Sequence, residues 1–206
     1  MRTVAPADRA ATYQLLNALV APRPIAWVST RGDDGTPNIA PHSYFTIASV
    51  VPPTIAFTSI GEKDTLRNIR GSGEFVVSVV DHAHAEAMNA SSIDAPHGVS
   101  EFDVAELAMA ASDTVAAPRV AGAPAALECR LDRIIEVGSE PAYMVLGIIQ
   151  CVHVAERVFD DRDRIDASAL DAIARMGGSG YCTTRDRFTM RRPAWADRTT
   201  PPRSST

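Results

Sequence analysis

Lysine is almost missing from this chain of 206 residues: Lys63 is the single one, and every other basic residue is arginine. Cysteine is scarce too. Cys129, Cys151 and Cys182 are odd in number, far apart and in no C-x-x-C arrangement, which does not make a disulfide framework and fits a reducing compartment. Long apolar runs are absent, the longest being Tyr143 to Ile149, far below the ~20 residues a bilayer span needs. Asp8 and Arg9 stand where a signal peptide would carry its apolar core, so the expectation is a cytoplasmic protein without membrane contact. No excess of positive charge exists: the net charge of -5 argues against nucleic acid as a partner. No G-x-G-x-x-G follows an apolar run, which argues against a Rossmann-type nicotinamide domain, and there are no internal repeats. No Ser-His-Asp or Cys-His set stands out, and no metal site is expected. His82 and His84, two apart, would point to different sides of a helix.

What is present suffices for one filled core, with 46% hydrophobic and 22% charged residues. The arginine- and alanine-rich usage is that of a GC-rich bacterial genome. A helix is expected over 12–20, stopped by Pro22 and Pro24. Strands follow at 25–30, 38–49, 54–59 and 75–80, the last apolar on both faces and hence central. Pro41, with no N–H to give, must sit at an edge or bulge. Asp81 can cap a helix through Ala90, Ser91 to Val99 reads as a loop, and Ser100 with Asp103 resembles a capping box for a helix carrying Val104 and Leu107. Two long strands are expected at 127–136, with a bulge near Asp132 and Arg133, and at 142–154, bent at Gly147. A last helix would run from Asp166 to Met176, ended by Gly177. Short strands without regular β-α alternation indicate a mainly β protein with peripheral helices, an antiparallel barrel rather than a parallel sheet.

The stretch around Lys63 carries the most chemistry. Thr58 and Ser59 end an apolar run, Gly61 turns the chain, and Lys63, Thr65 and Asn68 open a short helix whose apolar positions are Leu66 and Ile69. Free N–H groups, the positive helix end, hydroxyls and an ammonium together suit a phosphate. A solvated amphipathic helix reads equally well from this stretch alone.

Taken in order, Val20 to Thr30 with its Pro-Arg-Pro-Ile-Ala-Trp core, Asn38 to Phe45, Pro52-Pro53, Lys63 to Ile69 and Gly73 to Val77 resemble the flavin reductase-like family of FMN-binding split barrels, which includes flavoredoxin. Ser100-Glu101-Phe102, Pro124 to Glu128, and Arg175 to Gly178 with Tyr181 extend the resemblance over about 13–192, leaving 1–12 as a loose N-terminus and 193–206 as a disordered tail. The resemblance implies a six-stranded antiparallel split β-barrel, a homodimer with flavin near the interface, and non-covalent FMN, with FAD as the alternative. It places the phosphate site on Thr58, Ser59, Lys63, Asp64 and Thr65, with Asn68 close by. The ring would lie along Arg23, Pro24, Ile25, Ala26 and Trp27 and along Asn38, Ala40 and Ser43, with Gly178 and Tyr181 near the flavin or the dimer seam.

Two side chains are candidates for catalytic work. Arg23 could place charge beside the flavin or equally pin a turn through carbonyls, and His42 could assist proton delivery or be structural. Trp27 could stack near the ring or fill the barrel, while His153 reads as a wall residue and Cys182 as the one thiol to test for reactivity. The implied activity is that of an FMN-dependent oxidoreductase, an NAD(P)H-dependent flavin reductase passing electrons to free flavin, a partner monooxygenase or a small acceptor. The alternatives are an FMN enzyme reducing a specific organic substrate and a flavin-binding electron carrier.

Overall fold

The computed structural model describes residues 1, 3–4, 8–96 and 98–195. The elements in chain order are α1 (Arg9–Leu19), β1 (Arg23–Pro24), β2 (Ala26–Arg31), β3 (Pro37–His42), β4 (Phe45–Val50), β5 (Pro53–Ile60), α2 (Asp64–Ser72) and β6 (Glu74–Val79). After a 3₁₀ turn (His82–His84) come α3 (Ala85–Ala90), α4 (Glu101–Val104), β7 (Met109–Ala110), β8 (Arg119–Val120), β9 (Ala125–Val137) and β10 (Ala142–Val154). A second 3₁₀ turn (Glu156–Val158) precedes α5 (Ala167–Leu170), β11 (Ile173–Arg175) and β12 (Tyr181–Thr183).

Seven strands form one antiparallel sheet in the order β3-β2-β6-β9-β10-β5-β4. The sheet curls around a core of Ala26, Val28, Phe57, Phe75, Val77, Cys129 and Val145, and Leu66 and Ile69 of α2, both fully buried, join it. The opposite face of β2 and its neighbours packs Trp27, Ile39, Val80, Met88 and Phe102 into a second, outer core. β2 and β6 are therefore buried on both faces, as the run at 75–80 predicts for β6. Pro41 lies on β3, an edge strand of the sheet, where its missing N–H costs no ladder bond.

The barrel has seven strands where six are expected, because the stretch 38–49 breaks at Ser43-Tyr44 into β3 and β4. The bulge expected near Asp132 is there: the pairing steps from Arg133↔Leu146 to Leu131↔Gly147, leaving Asp132 over. Gly147 is required at that bend, since a Cβ there would lie 2.3 Å from the Phe75 ring.

Three local expectations are corrected. α1 starts at Arg9 rather than Thr12, because Asp8 caps it by accepting from the Ala11 N–H at 2.8 Å. The capping box at Ser100 and Asp103 does not form: Ser100 makes no side-chain cap bond and the helix is one turn long, ended before Glu106 at φ +51. The helix expected over 166–176 is the single turn of α5, capped by Asp166 as expected but ended by Asp171 at φ +44. Ile173 to Arg175 then form a strand between β1 and β12, since a partner with open N–H and C=O groups outweighs a short helical pattern. The expected disordered tail at 193–206 is described only to Trp195, and the expected loose N-terminus at 1–12 only at residues 1, 3–4 and 8–12; both expectations fall in part outside the described residues. Among the described residues no helix is long and apolar enough to cross a membrane.

Candidate functional site

The two edge strands of the sheet, β3 and β4, are consecutive in the chain and joined only by Ser43 and Tyr44, so the barrel is split where β3 faces β5. A cavity of about 330 Å³ opens at this split. Asn38, Ala40 and His42 line it from β3, Thr58 and Ser59 from the end of β5, and Lys63, Asp64 and Thr65 from the start of α2. A second cavity of about 300 Å³ shares Tyr13, Pro41, Ser43 and Ser92 with the first and reaches Arg23, Ile25, Gly178 and Tyr181. The two make one trough, within the 300–1,000 Å³ usual for cofactor sites.

The phosphate-like end is built by α2. Gly61 at φ +78 reverses the chain, its N–H bonded to Pro141 O at 2.9 Å, and Lys63 takes the N-cap position without any side-chain cap bond. The first N–H groups of the helix thus meet no capping side chain, and burial of Leu66 and Ile69 fixes their direction. Thr65 is buried, and its Oγ1 accepts from Asn38 Nδ2 at 3.1 Å, which leaves the hydroxyl proton to donate. Asn38 and Asn68 both donate to Thr30 Oγ1, at 3.3 and 3.0 Å, so Asn68 braces the site from behind and does not line it. The Ser59 hydroxyl donates to Gly61 O at 3.1 Å. Lys63 Nζ lies 2.6 Å from Asp94 Oδ1, both exposed, and that bond first, with the ammonium's charge, holds the Asp94 carboxyl below its ordinary value.

His42 is buried, its ring 4.8 Å from that of Phe57, and its Nε2 has no partner. Burial first of all, with the charge of Lys63 and against a backbone hydrogen bond at Thr58, lowers its pKa to about 4. The imidazole is accordingly neutral at pH 7. Glu101 reaches the cavity from α4, accepts from the Ile39 N–H at 3.1 Å, and is pushed up by desolvation.

Arg23 has the carbonyl-pinning geometry. Its guanidinium donates to Asn17 O at 2.7 Å, Val20 O at 2.5 Å and Met176 O at 3.1 Å, tying the C-terminal end of α1 to the late glycine motif. Its buried Nε is unpartnered. Tyr181 lies under Arg175, whose guanidinium is 4.6 Å from the ring centroid and donates to Tyr181 Oη and Gly178 O.

Besides Asn68, three candidates fall outside the trough. Pro24 is exposed and pairs with Ala174, Ala26 points into the barrel core, and Trp27 fills the outer core. Trp27 acts at one remove, donating from Nε1 to Ser91 Oγ at 2.9 Å and so fixing the start of the 91–95 loop that walls the cavity. That loop, Tyr13, Tyr44 and Glu101 are lining residues missing from the expected set. Tyr44 and Glu101 lie within motifs that carry the resemblance, whereas nothing in the loop's sequence signals its role.

Compared with known proteins, residues 19–167 match the family described as flavin reductase like domain. A protein of Deinococcus radiodurans with no assigned activity is 40% identical over 200 residues, covering 91% of this chain and 87% of that protein. Nitrilotriacetate monooxygenase component B of Bacillus cereus superimposes with a TM-score of 0.88 at 32% identity, covering 92% of this chain and 98% of that one. The 2-nitrobenzoate 2-nitroreductase of Pseudomonas fluorescens does so at 0.86 and 32%, covering 94% and 98%. With the split barrel and its trough, these likenesses show that the chain belongs to the flavin reductase-like family.

Proposed function

We propose that the protein is an NAD(P)H-dependent flavin reductase that binds FMN in the trough, its phosphate at the uncapped start of α2. The observation that carries this reading is the convergence of a helix start that Lys63 does not cap, the Thr65 hydroxyl and the Lys63 ammonium at one end of a cavity long enough to continue past Ser43. FMN would supply the hydride chemistry through its N5 atom. The chain's residues then bind and orient: Lys63 exchanges Asp94 for the phosphate, Asn38 holds Thr65 in place, and Ser43 faces the junction between the two cavities. His42, neutral and hydrogen-bonded at Thr58, serves as wall rather than acid. Arg23 positions the α1 and 176 backbone at the ring end.

The acceptor is free flavin, a partner monooxygenase or a small molecule. Likeness to a monooxygenase component favours the first two, and likeness to a nitroreductase supports the second reading, in which bound FMN reduces a specific organic substrate. The free cysteines fit a cytoplasmic location. Oxidation of NADH and NADPH, followed with and without added FMN, tests the proposal. Turnover that rises with free flavin is expected; a fixed yellow chromophore with no nicotinamide oxidation would make the protein a carrier, and a colourless protein that neither binds nor reduces flavin would end the flavin reading.

A further inference from the structure

β9 and β10 gather a second group of chemistry-bearing side chains, beside a cavity that shares no lining residue with the trough. Their pairing steps from Ile149↔Cys129 to Cys151↔Glu128, so Gln150 is left over as a bulge. The step decides the chemistry. Without it Gln150 would stand opposite Glu128, and Cys151 and His153 would face the other side of the sheet. With it, Cys151, His153 and Glu128 share one face, and Asp113 comes over them from the loop between β7 and β8.

One ligand atom from each of Asp113, Glu128, Cys151 and His153 lies within 4.8 Å of all the others. His153 Nε2 is 3.6 Å from Cys151 Sγ, 3.9 Å from Asp113 Oδ2 and 2.6 Å from Glu128 Oε1. A tetrahedral ion with metal–sulfur and metal–nitrogen bonds of about 2.3 and 2.0 Å separates such atoms by roughly 3.3–3.6 Å. Two of the three spacings are therefore near that range already, and the Glu128 contact must open by about 0.7 Å. The Glu128 carboxylate is oriented by the Asp113 N–H at 2.8 Å, the Thr114 N–H at 2.6 Å and the Thr114 hydroxyl at 2.5 Å, the kind of outer contact that fixes a metal ligand. One and the same nitrogen of His153 faces both Glu128 and Cys151, which rules out a relay in which a carboxylate orients an imidazole to activate the thiol.

We propose that Cys151, His153, Glu128 and Asp113 bind a divalent transition-metal ion of the zinc type, tying the 111–118 loop to the β9–β10 ladder. Thiolate and imidazole together select zinc over magnesium or calcium. Three anionic ligands leave one surplus negative charge around a dication, and the Arg119 guanidinium, 4.0 Å from Glu128 Oε1, stands beside it. Binding releases the Cys151 thiol proton to solvent and moves the His153 N–H from Nε2 to Nδ1.

Cobalt(II) titration of the chelator-treated, reduced protein tests this directly. A single equivalent giving a sulfur-to-cobalt charge-transfer band with tetrahedral d–d absorption, displaced by zinc(II), is expected. Cys151→Ser should abolish the charge-transfer band, and Asp113→Asn, a change at a largely exposed loop position that need not disturb folding, should weaken cobalt at least tenfold. Flavin content and nicotinamide oxidation should be unchanged in Asp113→Asn. No cobalt band at millimolar ion, or a band that survives Cys151→Ser, would overturn the site.

Discussion

At the scale of single residues, position in the fold decides what each polar group can do. His42 is a candidate acid by its place in the chain, yet burial lowers its pKa from 6.5 to about 4. The folded state refuses a proton that the unfolded chain accepts below pH 6.5, so the stability that this neutral imidazole contributes is fully present above that value and is lost as the pH drops toward 4. At 1.36 kcal/mol per unit the loss reaches about 3 kcal/mol. Urea unfolding between pH 7 and 4 should show it, and His42→Gln should remove that part of the slope; an unchanged slope would mean that other groups cause it. Lys63 offers a second test. If it holds a phosphate, Lys63→Ala should weaken FMN on the order of 10- to 100-fold while leaving riboflavin nearly unaffected, measured by fluorescence quenching. Equal losses for the two flavins would refute the phosphate assignment. The lysine, its neighbouring hydroxyls and the glycine turn were legible in the sequence as an anion site or a solvated helix, and burial of Leu66 and Ile69 aims the helix start at the cavity. Its partner Asp94 was not legible, because 31 residues separate the two and only the fold of the 91–95 loop brings them together.

Among the elements, the bent strand β10 shows how a local rule and a tertiary contact meet. Gly147 marks a bend by its type alone, but its necessity comes from Phe75, whose ring occupies the space of any Cβ there. Gly147→Ala should destabilise the protein by about 1–3 kcal/mol through overpacking, read as a shift in the urea midpoint. The double variant with Phe75→Leu should recover part of the loss, and additive losses would show that the two sites do not share that space. β11 teaches the converse. Residues 166–176 carry an N-cap and a glycine stop and read as one helix, while the structure ends it after Leu170 and lays Ile173 to Arg175 against β1. A helical pattern this short is weak, and a sheet partner more than 140 residues away in the chain cannot be read from the pattern at all.

For the whole molecule, the notable surface is an exposed apolar patch beside the split edge. Ile47, Val50 and Val51 on and beyond the edge strand β4 are 73%, 79% and 86% exposed, and Leu16 and Leu19 of α1 and Val20 just after it are exposed too. Leu16 and Val20 line one cavity with Tyr44 and Phe45, so the patch continues from the helix to the strand beside Ser43, at the rim of the trough. An exposed apolar edge of this kind is a surface to be covered. We propose that the homodimer implied by the family resemblance forms through it: Ile47→Glu with Val50→Glu should then give a monomer by light scattering and weaken FMN by exposing the trough; a dimer that persists would place the interface elsewhere, and a wild-type monomer would end the dimer reading.

By itself the sequence determined the class of the protein: strand-length apolar runs, turn residues between them and one string of motifs suffice for a mainly antiparallel barrel of the flavin reductase-like family, because period and turn chemistry are local. It also marked the Lys63 stretch, since a lone ammonium after a glycine turn is a local arrangement too. Only the tertiary structure decided which candidates face the trough. Ala26 and Trp27 adjoin Arg23 and Ile25 in the chain, yet alternation along β2 sends them to opposite cores. It likewise took the one-residue step at Gln150 to put Cys151, His153 and Glu128 on one face, since register is a property of paired strands and not of either strand alone.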